Sequence, residues 1–171
     1  MARLTTTILL ATALVTTAAC SKKRPEVLPP APGEAPAAPT GSTGSTEGAV
    51  VPGSSEDFKR SVTSDTVNFG LDQYDIDGTA RGILDSQVVW LQRYPNIRVT
   101  IEGHADERGT REYNLALGDR RANAAKNYLV AQGISPSRIT TISYGKERPL
   151  ALGSDEESWA RNRRAVTVVL N

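Results

Sequence analysis

The sequence contains very few of the residues on which many protein chemistries depend. Its 171 residues include one cysteine and one histidine, and only 5% are aromatic. A single cysteine cannot form a disulfide within the chain, and a structural zinc site needs four ligands that are mostly Cys or His. A Ser-His-Asp triad would have to use His104, the one histidine. The composition therefore argues against a disulfide-stabilised fold and against a metal centre.

The chain also lacks an excess of charge of either sign. Its 20 basic and 19 acidic residues give a formal net charge of +1. Proteins that bind nucleic acid usually carry a clustered basic face, and this balance gives no sign of one. We therefore expect no nucleic-acid partner.

No apolar run is long enough to predict a permanent transmembrane helix. The uncharged stretch at residues 4–19 has about 16 residues, whereas a helix needs roughly 20 to span a bilayer. It follows Arg3 and ends in small residues, a pattern typical of a secretory signal. Residues 1–19 are therefore predicted to be a signal peptide, with a retained membrane helix as the alternative.

The single cysteine, Cys20, directly follows Thr17, Ala18 and Ala19. Small residues before a cysteine at the end of an apolar run resemble the lipobox of bacterial lipoproteins. In that family the signal peptidase cuts before the cysteine, which is then acylated; Thr17 stands where leucine is usual, and Ser21 favours sorting to the outer membrane. We predict lipidation of Cys20, because this cysteine stands where acylation requires it and an isolated thiol is of little use to an exported protein. Several acyl chains would then give a stable anchor. The alternative is a free thiol after an ordinary signal peptide.

Residues 20–55 are rich in Pro, Ala, Gly, Ser and Thr, with scattered charges. Such a segment has too little apolar surface to fold, so we predict a disordered tether that carries the lipidated cysteine at its start. As a flexible coil, about 35 residues span roughly 30 to 35 Å on average. The tether would let a folded head reach a partner at some distance from the membrane.

The remaining residues, 56–171, show the periodicities of one α/β domain. A first helix is predicted from a cap at Asp77 or Thr79 up to Pro95, a second at about 112–132, and a short third one at a capping-box pattern that begins with Ser154. Strands are predicted at residues 66–69, 97–101, 139–144 and 165–170. The order, βαβαβ(α)β, predicts a two-layer sandwich of one sheet and its helices with right-handed crossovers.

One charged residue lies on the apolar face of the second predicted helix. Arg121 falls within an arc of about 140° that also holds Leu117 and other apolar positions. A guanidinium on the packed side of a helix needs an anionic or carbonyl partner. Asn114, seven residues earlier, points in nearly the same direction. Both residues are therefore expected to face the loop after the second strand, which carries Asp106 and lies where α/β sheets usually bind ligands.

Three separated segments carry a resemblance to a known family. They read GHADERGTREYNLALGDRRANA at 103–124, SYGKERP at 143–149 and NRRA at 162–165. In this order they resemble the OmpA-like peptidoglycan-binding domain family, in the form found in the lipoproteins of the Tol-Pal system. The resemblance covers residues 66–170, and the lipobox and tether fit the same architecture.

The resemblance implies noncovalent recognition of the diaminopimelate side chain in uncrosslinked stem peptides, without catalysis. Residue by residue, it implies an acidic ligand position at Asp106 and a basic one at Arg121, with Asn114 completing the helix motif and Asp72 as a further candidate. Diaminopimelate ends in an ammonium and a carboxylate, which an Asp and a fork-shaped Arg can bind. The alternative from the residues alone is an internal salt bridge between Asp106 and Arg121.

The resemblance also implies partners and a location. The partners are peptidoglycan, TolB, which competes with peptidoglycan, TolA, and outer-membrane lipid through acylated Cys20. The implied location is the periplasmic face of the outer membrane, and the implied role is to link that membrane to the cell wall, including during constriction at division. No cofactor is implied.

The sequence also leaves two alternative functions, and it leaves the surroundings of three side chains to be determined. An OmpA-like lipoprotein outside the Tol system is one alternative, and a cell-wall hydrolase that uses the carboxylates of Asp106, Glu107 and Glu112 is a remote one. His104 is expected to be a hydrogen-bonded structural residue. For Arg163 and its neighbour the sequence does not decide between packing on the sheet and surface contact.

Overall fold

The computed structural model describes residues 50–170. The predicted signal peptide 1–19, the lipidation site Cys20 and most of the predicted tether lie outside the described residues. Among the helices of the described part, none combines the length and the apolar character needed to cross a membrane. The elements in chain order are α1 (Ser55–Ser61), β1 (Thr66–Asn68), α2 (Gly78–Arg93), β2 (Arg98–His104), α3 (Arg111–Ala131), β3 (Ile139–Gly145), α4 (Glu156–Asn162) and β4 (Arg164–Leu170).

The four strands form one mixed sheet in the order β1-β4-β2-β3. Strands β2 and β3 are parallel, whereas β4 runs antiparallel to both β1 and β2. Alternate residues of β2, such as Val99 and Ile101, are fully buried, while the residues that follow each of them, Thr100 and Glu102, are partly exposed. This alternation means that helices cover one face of the sheet, so the predicted two-layer α/β sandwich is confirmed.

The helix ends follow from local capping chemistry. The side chain of Asp77 accepts a hydrogen bond of 2.7 Å from the backbone N–H of Ala80, which identifies the cap of α2 among the two candidates. Helix α2 ends at Arg93, two residues before Pro95, because proline disfavours a helical conformation in the residue that precedes it. In α4 the cap is Asp155, whose carboxylate accepts from the N–H of Ser158, so the prediction that began the motif at residue 154 was wrong by one residue.

Helix α1 was not predicted from the sequence. It is only seven residues long and has one buried side chain, Phe58, so no apolar periodicity can build up along it. Phe58 packs edge-on against Trp90 of α2, with the ring centroids 4.9 Å apart. The helix therefore depends on a contact with a residue far along the chain rather than on a local pattern.

A close approach of two glycines places α3 against the end of β2. A Cβ atom built on Gly103 would lie 1.8 Å from the carbonyl oxygen of Gly118, so only glycine fits at this position. The contact brings the first half of α3 directly beside the loop that follows β2. This arrangement positions the side chains of the candidate site.

Candidate functional site

The candidate site is a cavity of about 300 Å³ at the carboxyl end of β2. Its walls come from the segment after β1, from the loop between β2 and α3, from the first half of α3 and from the junction between α4 and β4. All four predicted ligand residues line it, namely Asp72, Asp106, Asn114 and Arg121. The structure therefore brings together side chains that are up to 49 positions apart in the sequence.

Asp106 is buried, with 5% of its surface exposed, and its carboxylate is held by two arginines. Oδ1 accepts from the backbone N–H of Arg108 at 3.1 Å and from its Nε at 3.2 Å, while Oδ2 accepts from its Nη2 at 2.6 Å. Nη1 of Arg163 lies 3.5 Å from the same Oδ2. Burial alone would raise the pKa of Asp106, but these hydrogen bonds outweigh it and lower the pKa below its usual value. The carboxylate is therefore ionised at neutral pH.

Arg121 is completely buried and donates to three backbone carbonyl groups. Its Nε bonds to the oxygen of Gln73 at 2.8 Å, Nη1 to that of His104 at 2.8 Å and Nη2 to that of Gly70 at 3.0 Å. Within residues 50–170 no ion pair joins it to Asp106, so the alternative of an internal salt bridge between the two is wrong.

Arg121 remains protonated although its side chain is buried. Desolvation, together with the positive charge of Arg163, lowers the pKa of Arg121 to about 10, which still leaves it protonated at neutral pH. A guanidinium has five N–H groups, and three are used by the carbonyls. One N–H on each of Nη1 and Nη2 is therefore not used by these carbonyls, in a residue that lines the cavity.

Asn114 and Asp72 have different surroundings. Asn114 is buried, and its Nδ2 donates to the carbonyl oxygen of Arg108 at 2.7 Å, so it fixes the loop to α3. Asp72 is exposed and has a φ of 54°, a left-handed conformation that is uncommon outside glycine. Its Oδ1 accepts from the hydroxyl of Tyr113 at 3.0 Å, a bond that raises the pKa of Tyr113. Asp72 is thus an exposed carboxylate at the rim of the cavity, bonded to Tyr113 through one oxygen.

Six residues of the cavity wall were missed by the sequence-based assignment. Among them, Arg163 brings a second guanidinium to Asp106. Its Nε donates to the carbonyl of Phe69 and its Nη2 pairs with Glu156 at 2.7 Å, so its side chain is held in place. The adjacent Arg164 instead donates to backbone carbonyls away from the cavity. Two consecutive arginines give no sequence signal of which one faces the site, since that depends on where α4 ends and β4 begins. The six are Leu71, Arg108, Gly109, Tyr113, Leu117 and Arg163.

Helix α4 supports the ligand loop through one aromatic side chain. The guanidinium carbon of Arg108 lies 4.1 Å from the ring centroid of Trp159. The indole Nε1 of Trp159 donates to Glu107 at 3.0 Å, on the neighbouring position of the loop. Both contacts tie the loop after β2 to a helix that follows it by about fifty residues.

His104 contributes to the site through its backbone alone. Its carbonyl accepts from Arg121, but its side chain is not part of the cavity wall. The ring is 2% exposed, and neither ring nitrogen has a hydrogen-bond partner among residues 50–170, so the expectation of a hydrogen-bonded histidine was wrong. Burial and the charges of Arg164 and Arg148 lower the pKa of His104 to about 4.

The carboxylates that a hydrolase would need are not gathered at the cavity. Glu107 and Glu112 are absent from its wall, and Asp106 is engaged by arginine. Among the described residues, no group of three or more His, Cys, Asp and Glu side chains is arranged to hold a metal ion. The cavity is lined by both carboxylate and guanidinium side chains. This arrangement suits a small ligand that carries both a positive and a negative group.

Residues 68–163 match the model of the OmpA family. The "Peptidoglycan-associated lipoprotein" of Rhizobium meliloti (strain 1021) is 55% identical over 122 residues, which cover 71% of this chain and 69% of that protein. The protein of the same name from Brucella melitensis is 53% identical over 129 residues, with 75% and 76% covered. The crystal structure of the peptidoglycan-associated lipoprotein from Burkholderia pseudomallei superposes with a TM-score of 0.61 at 41% identity, over 63% of this chain and 91% of that one.

Proposed function

Because the chain belongs to the OmpA family, we propose that its folded domain binds peptidoglycan noncovalently through the cavity at the end of β2. The observation that carries the proposal is that an ionised carboxylate, Asp106, and a buried, charged guanidinium, Arg121, line the same cavity of about 300 Å³. These are the two positions at which the family resemblance implies ligand contacts. The relatives named peptidoglycan-associated lipoprotein support the same ligand.

The charges of the cavity fit the head of diaminopimelate. That head carries an ammonium and a carboxylate on one carbon, so it needs an acceptor and a donor close together. Asp106, with Asp72 at the rim, supplies the acceptors, and the free N–H groups of Arg121 supply donors. The space is at the lower end of the range for small-molecule sites, which suits an amino-acid head rather than a whole sugar.

Binding without cleavage is the function that this arrangement supports. A glycoside hydrolase that works with a pair of carboxyl groups needs one carboxylic acid whose pKa is raised so that it can donate a proton. At Asp106 the arginines shift the pKa the opposite way. The relatives' names describe association with peptidoglycan and not an enzymatic activity.

The proposal extends to the whole chain through the segments before the domain. Lipid on Cys20 would hold the chain in the outer membrane facing the periplasm, and residues 20–55 would supply the reach to the wall. The relatives are lipoproteins by name, which supports an anchor in the cell envelope. Many tethered copies that face a polymer of repeated ligands would strengthen the overall attachment through effective concentration.

Engagement of TolB and TolA, and with it a role in constriction at cell division, forms the finer part of the proposal. It rests on the segments DERGT at 106–110 and YGKERP at 144–149, which resemble the Tol-Pal form of the family. An OmpA-like lipoprotein that binds peptidoglycan outside the Tol system is the alternative. Saturable binding of purified TolB to the purified chain would support the first; no binding at several salt concentrations would support the second.

Co-sedimentation with purified peptidoglycan tests the proposed site. Asp106→Asn keeps the shape of the side chain but removes the charge that attracts an ammonium, so it should abolish co-sedimentation. Asp119→Asn, an equal change on the exposed face of α3, is the matched control and should bind like the unaltered chain. Binding by Asp106→Asn at the unaltered level would contradict the site assignment, and release of soluble muropeptides would contradict the binding-only function.

Arg121→Lys is a second variant with a different expectation for the fold. Lysine cannot supply three donors to the carbonyls of Gly70, Gln73 and His104 in the geometry of the guanidinium fork. We expect it to lose peptidoglycan and also to lower the melting temperature, because the buried carbonyl of His104 and the partly buried carbonyls of Gly70 and Gln73 lose donors. Circular dichroism measures the melting temperature, and co-sedimentation measures peptidoglycan binding, so the two effects are observed separately.

A further inference from the structure

The carboxylate of Asp106 has no vacant acceptor position in the structure. An ionised carboxylate offers about four lone-pair positions. Three are taken by the backbone N–H, Nε and Nη2 of Arg108, and Nη1 of Arg163 approaches the fourth at 3.5 Å. A ligand ammonium can reach this carboxylate only if one of these donors leaves.

The two arginines differ in how firmly they are held. Arg163 is buried, and its other nitrogens bond to the carbonyl of Phe69 at 3.1 Å and to Glu156 at 2.7 Å. The side chain of Arg108 is 34% exposed, and its guanidinium bonds are all to Asp106. Of the two, Arg108 is the side chain that can leave.

Alternative partners for the guanidinium of Arg108 lie close by. Its guanidinium already lies over the ring of Trp159 at 4.1 Å, and its Nη1 is 4.0 Å from a carboxylate oxygen of Glu156. A short rotation away from Asp106 would keep the stacking contact and shorten the distance to Glu156, so its charge would stay paired. The exchange replaces one cation on Asp106 by another and leaves no charge unpaired.

We propose that Arg108 is an internal competitor for the ligand: it occupies the carboxylate of Asp106 in the free protein and is displaced onto Trp159 and Glu156 when a ligand ammonium binds. The inference rests on the proposed function, in which Asp106 accepts that ammonium. Arg108 then lowers the affinity for any ligand that binds Asp106, by the difference in free energy between its pair with Asp106 and its contacts in the displaced position. It also restricts the site to ligands whose cation can replace a guanidinium.

Titration calorimetry with meso-diaminopimelate, using the full chain, tests the inference. Arg108→Met keeps an unbranched side chain over Trp159 but removes the competing charge. The variant lacks the partly exposed ion pair between Arg108 and Asp106, which the ligand must otherwise break. The Kd of the variant for meso-diaminopimelate should therefore be roughly two- to fivefold lower than that of the unaltered chain. Arg111→Met is the matched control, since Arg111 is exposed, pairs with Glu147 and is absent from the cavity wall, and its Kd should be unchanged.

An equal or higher Kd for Arg108→Met would overturn the inference, because Arg108 would then be a bystander or a direct ligand contact. Failure of the unaltered chain and both variants to bind would overturn the proposed function instead. A second measurement needs no substitution: the Nε–H resonance of Arg108 in the unaltered chain should shift when meso-diaminopimelate saturates the site. A resonance that stays in place at saturation would also overturn the inference.

Discussion

Acidification should weaken the fold through His104, whose imidazole is enclosed by charged and aromatic groups. Its ring centroid lies 5.6 Å from that of Tyr144 on β3, and the charges of Arg164 and Arg148 act on it. Among residues 50–170, the carboxylate found within 4 Å of it is that of Glu102, 3.7 Å from Nε2. A proton on this ring would be buried beside two cations with a single long contact to an anion.

The size of the effect follows from the pKa of His104. Burial, and after it the two arginines, lower that pKa from 6.5 to about 4. The unfolded chain therefore takes up a proton between about pH 6.5 and pH 4 that the folded chain does not, so the free energy of unfolding falls as the pH drops through this window. At about 1.4 kcal/mol per pKa unit, the total loss is about 3 kcal/mol, most of it complete by about pH 4.5.

Urea unfolding followed by circular dichroism at several pH values measures this loss. The chain has one histidine, so no second imidazole titrates in the same window. His104→Phe keeps a flat ring against Tyr144 and cannot be protonated, so between about pH 7 and pH 4.5 it should lose about 2 kcal/mol less than the unaltered chain. Parallel pH profiles for the two proteins would refute the reasoning, whatever their absolute stabilities.

Two further predictions concern the elements that position the site. Gly103→Ala should destabilise the domain by about 3 kcal/mol or more, because the added Cβ would meet the backbone of Gly118; Gly82→Ala on the open face of α2 should instead stabilise it by about 0.5 to 1 kcal/mol. Thermal unfolding of both variants checks the pair, and a mild effect at Gly103 would contradict the close packing of α3. Asp77→Ala removes the cap of α2 and should cost about 1 kcal/mol in the same assay, whereas no change would mean that the cap bond contributes nothing.

The parts of the fold that the sequence predicted are those with a local signal. In β2, Val99 and Ile101 alternate with polar residues, and the same alternation appears as burial in the structure. Arg121 could be singled out because a charge within an apolar helix face is costly unless it has a partner. Its actual partners could not be predicted, since two of the three carbonyls belong to Gly70 and Gln73, about fifty residues earlier.

The missed features depend on contacts between distant segments. Arg108 stands in a polar loop. No local pattern shows that its guanidinium bonds to the carboxylate of Asp106 and also stacks on Trp159 of α4. Helix α1 carries a single buried anchor, which is too little for a periodic pattern. In both cases the deciding neighbours come from elements that the chain reaches much later.

The most direct test of the central claim is a crystal structure of the chain bound to a stem peptide that contains meso-diaminopimelate. The account predicts the free amino-acid head of that residue in the cavity, with its ammonium within hydrogen-bond distance of Asp106 and its carboxylate on Nη1 or Nη2 of Arg121. A peptide bound elsewhere on the domain, with this cavity unchanged, would contradict the account.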